Sequence, residues 1–192
     1  MAGVEAIKIG ETVDQASNGQ GIQDPYQFLT FQLAGEIYAI NIQHIREIIE
    51  FGNLTQVPMV PNFIAGVINL RGSVVPVIDL ATRFGDKATE ITKRTSIVII
   101  ELDIEEQLLE IGVIVDIVNE VLELPAAEIE PAPSFGTSIR TDFIAGMGKV
   151  DGNFLILLDV SHVLSIDELS VVSDMHSALE NESHEDQVSE VS

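Results

Sequence analysis

Asp79 and Asp159 occupy equivalent places in two similar stretches, FIAGVINLRGSVVPVIDL (63–80) and FIAGMGKVDGNFLILLDV (143–160), at an offset of 80. Paired carboxylates are the raw material of general acid and base work. Each aspartate also precedes a short helix-patterned run, LATRF or VSHVL, where an N-cap is the plainer role. Glu47 and Glu120 form a second matched pair, read as solvated acids. Four histidines, His44, His162, His176 and His184, lack the i, i+4 or hairpin spacing of metal ligands. The chain has no cysteine, so thiolate sites, cysteine nucleophiles and disulfides are excluded. Neither a phosphate-cradling G-x-x-x-x-G-K-[ST] loop nor a G-x-S-x-G nucleophile elbow is written. The expectation is a protein that is not an enzyme, with no metal and no cofactor.

Arg71 is a different kind of candidate. The duplicated turn keeps its glycine and its apolar flanks, yet one copy carries Arg71 where the other carries Asp151. A planar guanidinium with five donors is a frequent interface anchor, and it is also an ordinary solvated turn residue. Both readings stand at this level. Against 31 acids and a net charge of −22, each of the nine bases stands out. The same charge repels phosphate backbones and anionic membrane surfaces, so nucleic acid and direct membrane insertion are not expected. No apolar stretch approaches the roughly 20 residues of a membrane-spanning helix. The N-terminus lacks a secretory pattern, and a cytoplasmic protein is predicted.

Positioning these residues falls to short strands. FLTFQLAGEIYAINI is two apolar runs around Ala34-Gly35-Glu36, a hairpin signature. FIAGVINL and VVPVIDL make another around Arg71-Gly72. Val57–Pro61, with two prolines in four residues, is predicted as loop or extended chain. SIVIIEL, the acidic turn DIEEQ and LLEIGVIVDIVNEVLEL repeat the order, with YAINIQHIREIIE matching IGVIVDIVNEVLE at offset 73. The repeat units run about 28–80 and 97–160. Gly66 and Gly146, inside strands, mark predicted bulges or barrel corners. A unit near 60 residues is marginal alone, so two small β barrels sharing a core are expected. Residues 1–25 are predicted as a flexible tail, and 171–192 as an acidic helix or tail. Loops 51–62 and 124–142 carry apolar residues (Val57, Met59, Val60, Phe63; Ile129, Phe135, Ile139) that either pack beneath the domain or form contact patches.

The run VPMVPNFIAGVINLRGSVVPVIDL, preceded by IREIIE, resembles the signature of CheW, the bacterial chemotaxis coupling family. The resemblance extends through IEPAPSFGTSIRTDFIAGMGKVDGNFLILLDV and covers about 26–170. It implies two intertwined SH3-like five-stranded β-barrel subdomains packed side by side, without catalysis. It implies an adaptor joining the regulatory domain of a CheA-type histidine kinase to the cytoplasmic tip of methyl-accepting chemotaxis receptors, within signalling arrays. Self-association into rings belongs to the same picture, and so does an equivalent role in a non-flagellar chemosensory pathway. Carried over by motif, Ile42, Ile45, Glu47 and Arg71 would face the receptor, Arg71 pairing with a receptor carboxylate or bracing Glu47. Pro131, Pro133 and Phe135 would face the kinase, with Glu130 standing where some members carry a basic residue. With the chain ending at Ser192, no fused receiver domain is expected.

Overall fold

The computed structural model describes residues 25–104, 106–134 and 139–163, and the helical positions Glu168, Val171, Asp174, Ser177, Ala178 and Asn181. The predicted N-terminal tail lies outside the described residues apart from Pro25, and so does most of the predicted C-terminal one. The described chain is mainly β, as expected. Its strands are β1 (Tyr26–Leu33), β2 (Glu36–Asn41), β3 (Ile45–Glu50), β4 (Ile64–Leu70), β5 (Ser73–Asp79), β6 (Ser96–Ile104), β7 (Gln107–Val115), β8 (Ile117–Leu124), β9 (Ile129–Glu130), β10 (Ile144–Val150) and β11 (Asn153–Leu158). Two four-residue helices, α1 (Leu80–Arg83) and α2 (Val160–Val163), follow β5 and β11.

Three hairpins turn on two residues that both take positive φ: Ala34-Gly35, Arg71-Gly72 and Asp151-Gly152. That backbone matches the strand twist of a tight hairpin, and glycine adopts it without steric penalty. The pairs Leu33↔Glu36, Leu70↔Ser73 and Val150↔Asn153 close the three turns.

Two sheets result, ordered β8-β1-β2-β11-β10-β9 and β3-β6-β7-β5-β4. Neither is made from one repeat. The second sheet takes β3, β4 and β5 from the first repeat and the hairpin β6–β7 from the second. The first sheet takes β8 to β11 from the second repeat and β1–β2 from the first. Each loaned hairpin enters through a parallel seam, at Tyr38↔Ile156 in one sheet and Val77↔Gly112 in the other. The chain then closes each ring. Beyond β3 it bridges to β4 through reciprocal Thr55–Val67 hydrogen bonds of 2.9 and 2.8 Å. Beyond β8 it returns as β9 against β10. The predicted bulges fall at Gly66 and Gly146, where register shifts. Gly66 has φ +152°, and a Cβ there would lie 2.5 Å from the Thr55 carbonyl oxygen. Only glycine lets the closing segment approach so closely.

Strand alternation divides the apolar residues among three clusters. On β6, Ile97 and Ile99 point into one barrel, whereas Val98 and Ile100 point between the barrels. On β1, Phe28 fills the other barrel and Leu29 and Phe31 face the shared layer. Burial on both faces explains why SIVIIEL reads as a continuous apolar run. The barrel interiors are narrow: their matched positions on β2 and β7 are Ala39 and Gly112, and a Cβ on Gly112 would meet Ile97 at 2.7 Å. The largest cluster lies between the barrels and is threaded by an aromatic row, Phe31–Tyr38–Phe84–Phe143, with successive centroids 6.1, 5.6 and 5.7 Å apart. Each fully buried Ile, Leu or Phe stabilises by about 1.5–3 kcal/mol, so most of the stabilisation resides in the shared layer.

Candidate functional site

Asp79 and Asp159 are helix caps. Asp79 is buried, and its Oδ1 accepts from Ala81 N at 3.0 Å and Thr89 Oγ1 at 2.9 Å while its Oδ2 accepts from Thr89 N at 2.9 Å. Asp159 Oδ1 accepts from Ser161 N at 3.1 Å, and its Oδ2 lies 2.8 Å from His162 Nδ1. With these bonds made, local backbone and side-chain demands account for both carboxylates. Among the described residues no group of three or more His, Asp and Glu could hold a metal.

Glu47 and Arg71 meet. Arg71 Nη1 and Nη2 donate to Glu47 Oε1 and Oε2, both at 2.9 Å, in a bidentate pair. The two strands concerned are the opposite edges of the five-stranded sheet, so the pair spans the opening of the barrel. A register shift between Ile45 and Glu47 aims the carboxylate. The turn after β4 presents Arg71 at φ 52°, and Asn69 Oδ1 secures it by accepting from Gly72 N at 2.9 Å. Glu47 is 24% exposed and Arg71 78% exposed, so the guanidinium keeps donors free for a partner. The matched positions of the second repeat, Glu120 and Asp151, are both acids and cannot make such a pair.

Ile42 opens a one-turn 3-10 helix, Ile42–His44, capped by Asn41 Oδ1, which accepts from Gln43 N at 2.9 Å. Ile42 and Ile45 are half-buried against the shared cluster. They therefore flank the ion pair on one short segment and keep partial exposure. Ile48, one residue beyond Glu47, is 43% exposed and was not singled out by sequence. Its signal was available: on an edge strand whose alternate residues turn inward, an apolar residue on the other face has nothing to cover it. His44 in this segment is buried, and burial pushes its pKa below the ordinary 6.5 against the pull of Asp159 and of the Glu101 backbone.

The second loop is divided. Ile129 and Ile139 are buried and Ala132 packs on the shared cluster, so these three positions are pinned beneath the domain. Pro131 and Pro133 are exposed, and Phe135 lies outside the described residues. In the first loop Phe63 is buried and Val60 half-buried, whereas Met59 is fully exposed on a residue with φ 61°.

A family model described as the CheW-like domain matches residues 27–168. The chain is 35% identical over 177 residues to the chemotaxis protein CheW of Klebsiella aerogenes, covering 91% of this chain and 98% of that one. To the chemotaxis protein CheW of Bacillus subtilis it is 38% identical over 139 residues, covering 72% of this chain and 86% of that one. The solved structure of the scaffolding protein TtCheW from Thermoanaerobacter tengcongensis superposes with a TM-score of 0.68 at 34% identity, covering 79% of this chain and 96% of that one. The motif around Arg71, the paired SH3-like barrels and these matches agree: the chain belongs to the CheW-like domain family.

Proposed function

We propose that this chain is a non-catalytic chemotaxis adaptor. It couples the regulatory domain of a CheA-type histidine kinase to the cytoplasmic tips of chemoreceptors. The observation that carries the reading is the exposed Glu47–Arg71 pair, made by only one of two otherwise matched barrels. A structural ion pair kept for stability alone gains little at such exposure. A pair that orients a guanidinium, on a segment that leaves Ile42 and Ile45 half-exposed, suits the docking of a helical hairpin through apolar and charged contacts. The kinase contact is assigned to the loop bearing Pro131, Pro133 and Phe135, where proline limits the entropy lost on binding. Names of relatives support this reading: those matched are chemotaxis and scaffolding proteins. No helix among the described residues is long and apolar enough to cross a membrane. On this reading the protein is cytoplasmic and reaches receptor arrays through its partners.

The test is calorimetry with the isolated regulatory domain of the cognate kinase, then with a receptor-tip helical hairpin. Separate saturable binding of both, and one complex containing all three, is expected. Failure to bind either partner would overturn the coupling role.

A further inference from the structure

The seam between the barrels holds a cation. Arg83, the last residue of α1, places its guanidinium carbon 5.1 Å from the ring centroids of both Phe63 and Phe143. These phenyls are the same position of the two repeats, and the counterpart of Arg83 itself, 80 residues on, is Val163. Arg83 Nε donates to the Val163 carbonyl at 2.7 Å, and Nη2 donates to Glu168 Oε2 at 2.9 Å. Its side chain is only 15% exposed. The Phe63 and Phe143 carbonyls accept from Asp79 N and Asp159 N at 2.8 and 2.9 Å, which ties each phenyl to the start of its own helix.

We infer that Arg83 is a positioning residue, a pin that fixes how the two barrels sit and that links this setting to the C-terminal helix through Glu168. A flat guanidinium between two aromatic faces resists sliding, because displacement toward one ring leaves the other uncovered. Its donors reach the other repeat and the C-terminal segment, so the seam, the two helices and Glu168 form one contact network. A largely buried cation depends on its acceptors. Removing the Glu168 carboxylate takes away one of these acceptors and loosens the pin, which lets the barrels shift. The inference assumes no partner, so it stands or falls separately from the proposed adaptor role.

The chain has no cysteine, so a pair of spin labels can be placed without background. Labels at Glu50→Cys on β3 and Lys149→Cys on β10 report the distance between barrels by pulsed dipolar spectroscopy. The parent chain is expected to give one narrow distance. Arg83→Met, which keeps the stem and loses charge and fork, should give a broad or double-peaked distribution. Glu168→Ala should broaden it less, and combining it with Arg83→Met should broaden it no further. Arg83→Lys, retaining charge without the fork, serves if Arg83→Met does not fold, and should broaden too. A side chain that merely adds stability would lower the unfolding midpoint and leave the distance narrow. A single narrow distance in folded Arg83→Lys and Glu168→Ala would overturn the inference.

Discussion

Arg71 illustrates how a residue can be informative in sequence and still be completed only by structure. Its place opposite Asp151 in the duplicated turn was legible, and so was Glu47 as half of a matched pair. Their meeting was offered only by the family resemblance, as one of two alternatives, and not by the residues themselves, because β3 and β4 become opposite edges of one sheet only after a hairpin from the other repeat is inserted between them. At this exposure the pair contributes about 0–1 kcal/mol to folding. Arg71→Ala should therefore leave the urea midpoint almost unchanged while weakening receptor-hairpin binding by about 1–3 kcal/mol. Wild-type affinity in calorimetry would remove Arg71 from the interface. His44 gives a second test. Its folded pKa is depressed by burial, so the unfolded chain binds the proton more tightly. The stability this contributes is whole above the unfolded pKa of about 6.5 and is lost as pH falls through that value toward the folded one. Between about pH 7 and about pH 5 the wild-type melting temperature should decline more steeply than that of His44→Gln. Parallel profiles would show that His44 is not the group involved.

At the scale of single elements, the hairpins were the most legible part. Ala34-Gly35, Arg71-Gly72 and Asp151-Gly152 need positive φ at both central positions, and the glycines advertise it. The helix caps followed from Asp79 and Asp159 by the same local logic. What escaped was any feature defined by a distant segment, such as the reason for Gly66. Two glycines with positive φ separate these cases. Gly72 has open space around it, so Gly72→Ala meets only backbone strain, about 1–2 kcal/mol. Gly66→Ala adds a contact with the Thr55 carbonyl at 2.5 Å that relieves itself only by opening the barrel closure. It should cost about 1–3 kcal/mol more in urea denaturation. Equal losses for the two variants would mean that the Thr55–Val67 bridge gives way freely and does little to close the ring.

The whole molecule is organised by exchange between repeats. Sequence comparison located the duplication and its units, because matched apolar positions survive at offsets of 73 and 80. It could not show which copy of a hairpin completes which barrel, since the two copies are alike and either assignment satisfies the pattern. In the structure each repeat lends β1–β2, or its equivalent β6–β7, to the barrel of the other. The shared layer then carries the largest apolar cluster, and residues on both sides of it come from both repeats. A single repeat therefore holds a hairpin and a remnant of three strands (β3 to β5) or four (β8 to β11), with neither a closed ring nor a partner for its inward faces. Such pieces lie at or below the size at which a core sustains itself. Cutting the chain in the loop between α1 and β6 should yield two fragments that each lack a cooperative unfolding transition. Mixed in equal amounts, they should recover the β circular dichroism and the melting transition of the intact chain. If either fragment instead folded alone as a monomer, a repeat would be able to close on its own hairpin, and the exchanged arrangement would be one of two available topologies.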